Sequence, residues 1–345
     1  MKAEYKSKLN LEQRVALQDV IPLQTPFLLY VDPSSACNFR CQFCPTGHKD
    51  LVKSSDYQRS VMDFAIFQNL IDGLSEFDQP LKVMRFNKIG EPLLNKNLVD
   101  MVSLAKNSGL VKYVDLATNG YLLSKELLTG LVDAGLDRLN LSLEGVNKEQ
   151  YLEHAKVEVD FGRYVEMIRW FYDRRGGCEF TIKIPGNYLD EEQKAYFFET
   201  FGDYCDRIFI EGIAPIWPGF DIEKRSGIGI NGNVGQYQQF LQEKEVCTYI
   251  FYAMAVNADG TVSACCPDWA QKLIVGDLRS SSIKEIWNSA EMNELRQLHL
   301  QAKRKDNEVC RDCGHIKHSQ VDNIDAFKNE LLERMDKELA ESTHC

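Results

Sequence analysis

Three cysteines crowd into the stretch CNFRCQFC, at Cys37, Cys41 and Cys44. Cysteine fills 11 of the 345 positions. Over eleven possible starts, chance gives such a triplet about once in a hundred chains of this composition. Thiolates are soft ligands, so two chemistries compete for the cluster. Cys37, Cys41 and Cys44 with His48 would close a tetrahedral zinc site. Alternatively, three thiolates would hold a [4Fe–4S] cluster and leave one iron open. An open iron can bind a small molecule through an amine and a carboxylate, and reductive cleavage of that molecule then becomes possible.

A second group lies far downstream: Cys247, Cys265, Cys266, Cys310 and Cys313. The pattern is Cys-x17-Cys followed by Cys-x2-Cys, with Gly260 five residues before Cys265. Four of these thiols suffice for a zinc ribbon or for a closed cluster. His315 and His318 follow directly and read as surface residues of a turn. Cys178 and Cys205 fall inside regular elements and read as buried core cysteines.

Residues 27–212 alternate short apolar runs with longer amphipathic ones. The strands expected are 27–32, 82–87, 113–118, 138–143, 180–184 and 207–212. Helical patterns lie between them at 62–75, 97–108, 124–134, 160–174 and 190–203. Such alternation implies a parallel sheet with right-handed crossovers. Six strands fit an α/β fold of the partial (β/α)6 barrel type, similar to a TIM barrel, with function at the C-terminal strand ends. The first cysteine cluster follows the first of these strands. Before them lies an N-terminal extension, 1–26. After them the Gly- and Pro-rich segment 213–246 reads as a linker. Residues 247–320 form a cysteine-bearing module with a hairpin signal, AVNADGTVSACC. A C-terminal helix is expected within 321–345.

On these residues the chain resembles the radical S-adenosylmethionine (SAM) superfamily. Cys37-x3-Cys41-x2-Cys44 is similar to its cluster motif, and Phe43 stands where that family places an aromatic beside the adenine. Gly90, Glu91 and Pro92 after the second strand resemble the loop that binds the methionine amine. Thr118 and Asn119 after the third resemble the family's TNG motif, and Ser142 and Glu144 after the fourth resemble the segment near the ribose and carboxylate. The chain departs from the pattern at Ile89, which replaces a glycine, and at Glu144, which replaces an aspartate. Where an arginine often pairs the SAM carboxylate, this sequence has His154 and Lys156.

The downstream cysteines resemble the SPASM/twitch modules that follow radical SAM barrels. Beyond Cys313 only Cys345 remains. The resemblance therefore implies one auxiliary [4Fe–4S] cluster on Cys247, Cys265, Cys310 and Cys313, with Cys266 able to exchange for Cys265. The implied cofactors are SAM and two [4Fe–4S] clusters.

Together these features imply a radical SAM oxidoreductase. A 5′-deoxyadenosyl radical would abstract hydrogen from a small polar substrate, a sugar, cyclitol or derivative. A closed auxiliary cluster suits electron acceptance, hence oxidation of an alcohol, as in aminocyclitol dehydrogenases. An epimerase with Cys266 as hydrogen donor and a peptide-modifying enzyme are the alternatives. Arg85, Asn87, Lys183 and Glu211 stand on or near strands as candidate acid–base groups, with Lys183 assigned the catalytic role, and Trp217 could line the cavity. An external one-electron reductant of the flavodoxin or ferredoxin type is the expected partner.

The bulk numbers exclude other classes. Net charge is −11, which disfavours nucleic acid backbone and anionic membranes. No window approaches 18 consecutive apolar residues, and the N-terminus lacks the apolar core of a signal peptide. A cytoplasmic setting is expected, where cysteines are reduced and metal chemistry is favoured over disulfides.

Overall fold

The computed structural model describes residues 1–7, 14–55 and 57–342; Cys345 lies outside them. Six parallel strands form the frame: β2 (Leu28–Val31), β3 (Leu81–Phe86), β4 (Val111–Thr118), β5 (Arg138–Ser142), β6 (Glu179–Pro185) and β7 (Arg207–Glu211). They lie side by side in chain order. The crossovers between them carry helices α1 (Phe64–Leu74), α2 (Leu98–Asn107), α3 (Lys125–Asp133), α4 (Phe161–Tyr172) and α5 (Glu191–Phe201).

Local chemistry sets these boundaries. Asp63, Ser124 and Asp160 cap α1, α3 and α4 by accepting a backbone N–H, and Asp190 with Gln193 forms a capping box on α5. Each strand is short, and its inward residues join one continuous core with Phe67, Phe86, Phe180, Phe197 and Phe201 fully buried. Cys178 and Cys205 are buried in that core, as their positions implied.

The sheet extends at both edges. At one, β1 (Glu4–Tyr5), from the N-terminal extension, pairs in parallel with β7. At the other, β8 (Ala253–Val256) pairs in parallel with β2, Tyr30 opposite Ala255. β8 then turns through Gly260 into β9 (Thr261–Ser263), and β10 (Ile274–Asp277) completes a ten-stranded sheet. The AVNADG hairpin is present where the sequence put it. Its pairing with β2 makes the cysteine-bearing module continuous with the barrel.

The segment 213–246 is Gly- and Pro-rich yet packed. It carries α6 (Ile222–Ser226), and Ile213, Phe220, Ile222 and Ile228 form a buried cluster against Phe43. Helices α7 (Ile283–Trp287) and α8 (Ala290–Leu300) follow β10, and α9 (Lys328–Ser342) packs on α8. No helix among the described residues is long and apolar enough to cross a membrane.

Candidate active site

Cys37, Cys41 and Cys44 lie in the loop after β2. Neighbouring backbone holds that loop from two sides. Arg40 N–H donates to the Ala155 carbonyl and Gln42 N–H to the His154 carbonyl, both at 2.9 Å. Glu91 N–H donates to the Ala36 carbonyl at 2.8 Å. Two glycines permit the close approach. A Cβ at Gly90 would collide with the Ser34 and Ala36 carbonyl oxygens, and one at Gly47 with the Cys41 carbonyl oxygen.

The loops after β3 and β4 are tied by one buried carboxylate. Glu91 accepts from Thr118 Oγ1 at 2.6 Å, from Asn119 N–H at 2.9 Å and from Leu93 N–H at 3.0 Å. Burial outweighs these donors and raises its pKa to about 7. Asn119 in turn faces the first thiol, its Nδ2 3.9 Å from Cys37 Sγ and 2.8 Å from Asn38 Oδ1. The residues expected to hold the methionine end thus form one network with the cluster loop. Pro92 opens the short helical turn that presents Glu91.

Glu144, after β5, is buried, and its Oε2 has no hydrogen-bond partner. Burial pushes its pKa to about 8, with the Glu211 charge adding to the rise and Lys183 opposing it. Tyr188 donates to the Glu144 carbonyl at 3.1 Å and stacks on His154 at 3.8 Å. Ser142 ends β5 opposite Lys183. Lys156 is exposed in the left-handed conformation, and its ammonium donates to the Glu153 carbonyl at 2.6 Å. His154 is buried and aligned along the cluster loop. Of the two carboxylate partners suggested by sequence, the structure brings His154 to the site and turns Lys156 to solvent.

Burial pushes the Cys37 thiol up to about 12, and Cys41 and Cys44 upward as well, with the Glu144 charge contributing to each. Without bound metal these are neutral thiols. A metal cluster supplies the charge that makes thiolates favourable here. His48 is engaged elsewhere, its Nε2 2.8 Å from the Gln42 carbonyl. No group of three or more His, Cys, Asp or Glu side chains among the described residues is disposed to hold a metal ion. Zinc gathers its sulfurs about 2.3 Å from one point, whereas a four-iron cluster spreads each thiolate onto its own iron. The three thiols, the orphaned Glu144 oxygen and the glycine-lined loop fit a cluster with SAM.

Cys247, Cys265, Cys310 and Cys313 line one cavity between the hairpin, α8 and the segment after it. Cys266, the alternative to Cys265, points to a different cavity. Arg304 reaches the Cys310 carbonyl, and its charge opposes the upward push of burial on Cys247, Cys310 and Cys313. Gln320 Nε2 lies 2.9 Å from Cys247 Sγ. His315 is not simply a surface residue: it lines both cavities and packs against Tyr249.

The second cavity, about 210 Å3, is lined by residues that neighbour both sites. Phe43 reaches it from the cluster loop and Cys266 from the module. Asn87, Lys183, Glu211 and Trp217 line it too. Lys183 and Glu211 form an ion pair, and Glu211 Oε2 is buried without a partner. Arg85 is instead held by Asp115 at 2.7 Å. Sequence reasoning named Trp217 but missed Lys88, Tyr237 and the wall formed by Ile213, Ala214 and Ile216. Lys88 is buried and bridges Asn257, Ser263 at 3.1 Å and the Asp268 carbonyl at 3.0 Å, locking the barrel to the hairpin.

Comparison with known proteins agrees with this geometry. The radical SAM superfamily model matches residues 31–198, and the SPASM iron–sulfur cluster-binding domain model matches 247–314. Among curated relatives, the tungsten-containing aldehyde ferredoxin oxidoreductase cofactor-modifying protein of Pyrococcus furiosus is 32% identical over 206 residues, 55% of this chain and 52% of its own length. The chain thus spans about half of that relative. The S-adenosyl-L-methionine-dependent 2-deoxy-scyllo-inosamine dehydrogenase of Niallia circulans is 22% identical over 84% of this chain and 93% of its own length. Among solved structures, BtrN in complex with AdoMet and 2-DOIA aligns with a TM-score of 0.55 at 19% identity, over 87% of this chain and 97% of its own. Streptococcus suis SuiB bound to its precursor peptide SuiA aligns at 0.62 and 14% identity, over 88% and 72%. At these identities the structural likenesses speak for the fold. The chain belongs to the radical SAM superfamily of enzymes, with SAM, a [4Fe–4S] cluster and a SPASM auxiliary cluster site as its cofactor complement.

Proposed function

We propose that this radical SAM enzyme oxidises a secondary alcohol of a small polar molecule, a sugar, cyclitol or derivative, to the ketone. The observation that carries this reading is the shared cavity, which sets Phe43, beside the three-thiol site, and Cys266, beside the four-thiol site, around the Lys183–Glu211 pair. Its volume of about 210 Å3 is below the roughly 300–1,000 Å3 of pockets for drug-sized ligands. That size favours a single small ring over a peptide. The length matched to the inosamine dehydrogenase supports the same class.

When bound, SAM on the three-thiol cluster supplies hydrogen-atom abstraction, and the auxiliary cluster supplies one-electron acceptance. The protein's residues do the rest. Cys37, Cys41 and Cys44 would hold the first cluster; Cys247, Cys265, Cys310 and Cys313 would hold the second. Glu144 and the Gly90–Pro92 loop would orient the SAM. The unpartnered oxygen of Glu211 accepts a hydrogen bond from the substrate hydroxyl and takes its proton, while the ion pair with Lys183 holds the carboxylate in place. The alcohol carbon loses one hydrogen atom, its oxygen loses one proton, and one electron leaves. An external protein reductant supplies the electron that starts each turnover, in a reducing compartment such as the cytoplasm.

The test is anaerobic reconstitution with dithionite, SAM and a panel of sugars, cyclitols and aminocyclitols. Formation of 5′-deoxyadenosine with a product two hydrogens lighter is expected for one member. A product of unchanged mass that takes up one deuteron from heavy water would replace this reading by epimerisation. Cys266, which lines the cavity, would then be the hydrogen donor.

A further inference from the structure

We propose that His299 is a positioning residue of the auxiliary cluster: its Nε2–H donates a hydrogen bond to the cluster or to one of its thiolates and raises the cluster's reduction potential. His299 sits in the last turn of α8, is fully buried, and lines the same cavity as the four cysteines. Its Nδ1 accepts the backbone N–H of Cys247 at 3.2 Å. A ring nitrogen that accepts carries no proton, so the proton of the neutral ring is on Nε2. That Nε2 is buried and has no partner in the protein. A buried N–H left unpaired is destabilising, because it has given up its hydrogen bond to water without a replacement. The polar groups around it are four thiols, Arg304, His315 and Tyr249; a cationic guanidinium cannot accept a hydrogen bond, and His315 Nδ1 already faces Gln320 Nε2 at 3.2 Å. Sulfur of a bound cluster is the acceptor that the four cysteines at this cavity would bring to His299.

The neighbouring amide shows the same bias. Gln320 Oε1 accepts from Thr248 N–H at 3.0 Å and Thr248 Oγ1 at 2.8 Å, which turns its NH2 onto Cys247 Sγ. Donors stabilise the reduced, more negative cluster over the oxidised one, and so raise its potential. The inference rests on the four-thiol site holding the auxiliary cluster.

The experiment uses the full chain with Cys37, Cys41 and Cys44 all changed to Ala, so that only the auxiliary cluster remains. Two substitutions separate the roles of the two ring nitrogens. His299→Asn keeps an acceptor for the Cys247 N–H and removes the distal donor. His299→Gln keeps a donor at the distal position and gives up the near acceptor. Potentiometric titration followed by EPR is expected to show a lower potential in His299→Asn, by about 59 mV for a tenfold change in the one-electron equilibrium. His299→Gln is expected to stay near the parent. The reverse order, or no shift in either variant, would overturn the proposal. If the triple-alanine parent binds no iron, the assignment of the site itself fails. If the His299 variants bind none, pulsed EPR on the parent carrying 15N-histidine and His315→Leu decides: a nitrogen coupled to the reduced cluster supports the proposal, and its absence overturns it.

Discussion

Cys37, Cys41 and Cys44 hang from a single loop after β2, whereas Cys247, Cys265, Cys310 and Cys313 are gathered from the start of the module, the hairpin and the segment beyond α8. The first site needs little more than one strand end and the loops that brace it. The second exists only once the module has folded against the barrel. Their surroundings also differ in sign. The Glu144 charge raises all three thiols further and Glu91 adds to the rise of Cys37; Arg304 works against burial at Cys247, Cys310 and Cys313, while Asp268 adds to the rise of Cys265 and Cys310. In the function proposed above, the site that leaves one iron open for a zwitterionic ligand has buried carboxylates beside it, and the site that takes up an electron has Arg304 and the Gln320 amide beside its thiols.

The sharpest way to break this contrast is to remove one site at a time. With Cys37, Cys41 and Cys44 all changed to Ala, 5′-deoxyadenosine formation should fall to background. Iron should fall by about half, from two four-iron clusters to one. Iron analysis checks this, and complete loss of iron would mean that the four thiols hold no cluster by themselves. With Cys313→Ala the expectation differs in kind: 5′-deoxyadenosine should persist within about tenfold, while ketone product falls by about 10²-fold or more. Ketone formed at the parent rate would show that the closed site is not the electron acceptor.

A smaller effect is expected from the residue between the sites. Glu211→Gln keeps the size of the side chain but removes its capacity to take a proton. The kcat should fall by about 10²–10⁴-fold, with iron content and SAM binding unchanged. A change confined to KM would reassign Glu211 to binding alone.

Much of the contrast was legible in the sequence. The two cysteine groups, their different counts and the order of strand ends were carried by local spacing, because each parallel strand delivers its loop to the same face. What spacing does not carry is partnership over long range. AMAV at 253–256 reads as half of a hairpin, but nothing local says that its other neighbour is β2. Glu4–Tyr5 is too short for any periodic signal, yet it extends the sheet. The segment 213–246 has the Gly and Pro of a linker; its buried residues follow neither helical nor strand period. Gly47 and Gly90 carry a faint signal, since a glycine beside a cysteine cluster suggests close backbone approach. His299 and Lys88 carried none, since a lone buried polar residue in a helix or loop is silent until its cavity is seen.

The smallest expected effect tests the charge bias itself, in protein free of metal and SAM. Glu144 has a folded pKa raised to about 8, against about 4.5 in the unfolded chain, because burial disfavours its charge. The folded form therefore keeps a proton that the unfolded chain releases. This contribution is fully present below pH 4.5 and is lost as pH rises through 8, at about 1.4 kcal/mol per pH unit within that window. Urea unfolding of Glu144→Gln should accordingly show a flatter pH dependence than the parent, matching it near pH 5 and exceeding it most near pH 8. The four-thiol site predicts the opposite slope. Burial, with the Arg304 charge adding to it, pushes His299 down to about 3, so its stabilising contribution is present above pH 6.5 and is lost as pH falls towards 3. Parallel curves for Glu144→Gln and parent would mean that the carboxyl is solvated in the metal-free chain, and the first site would lose half of what distinguishes it from the second.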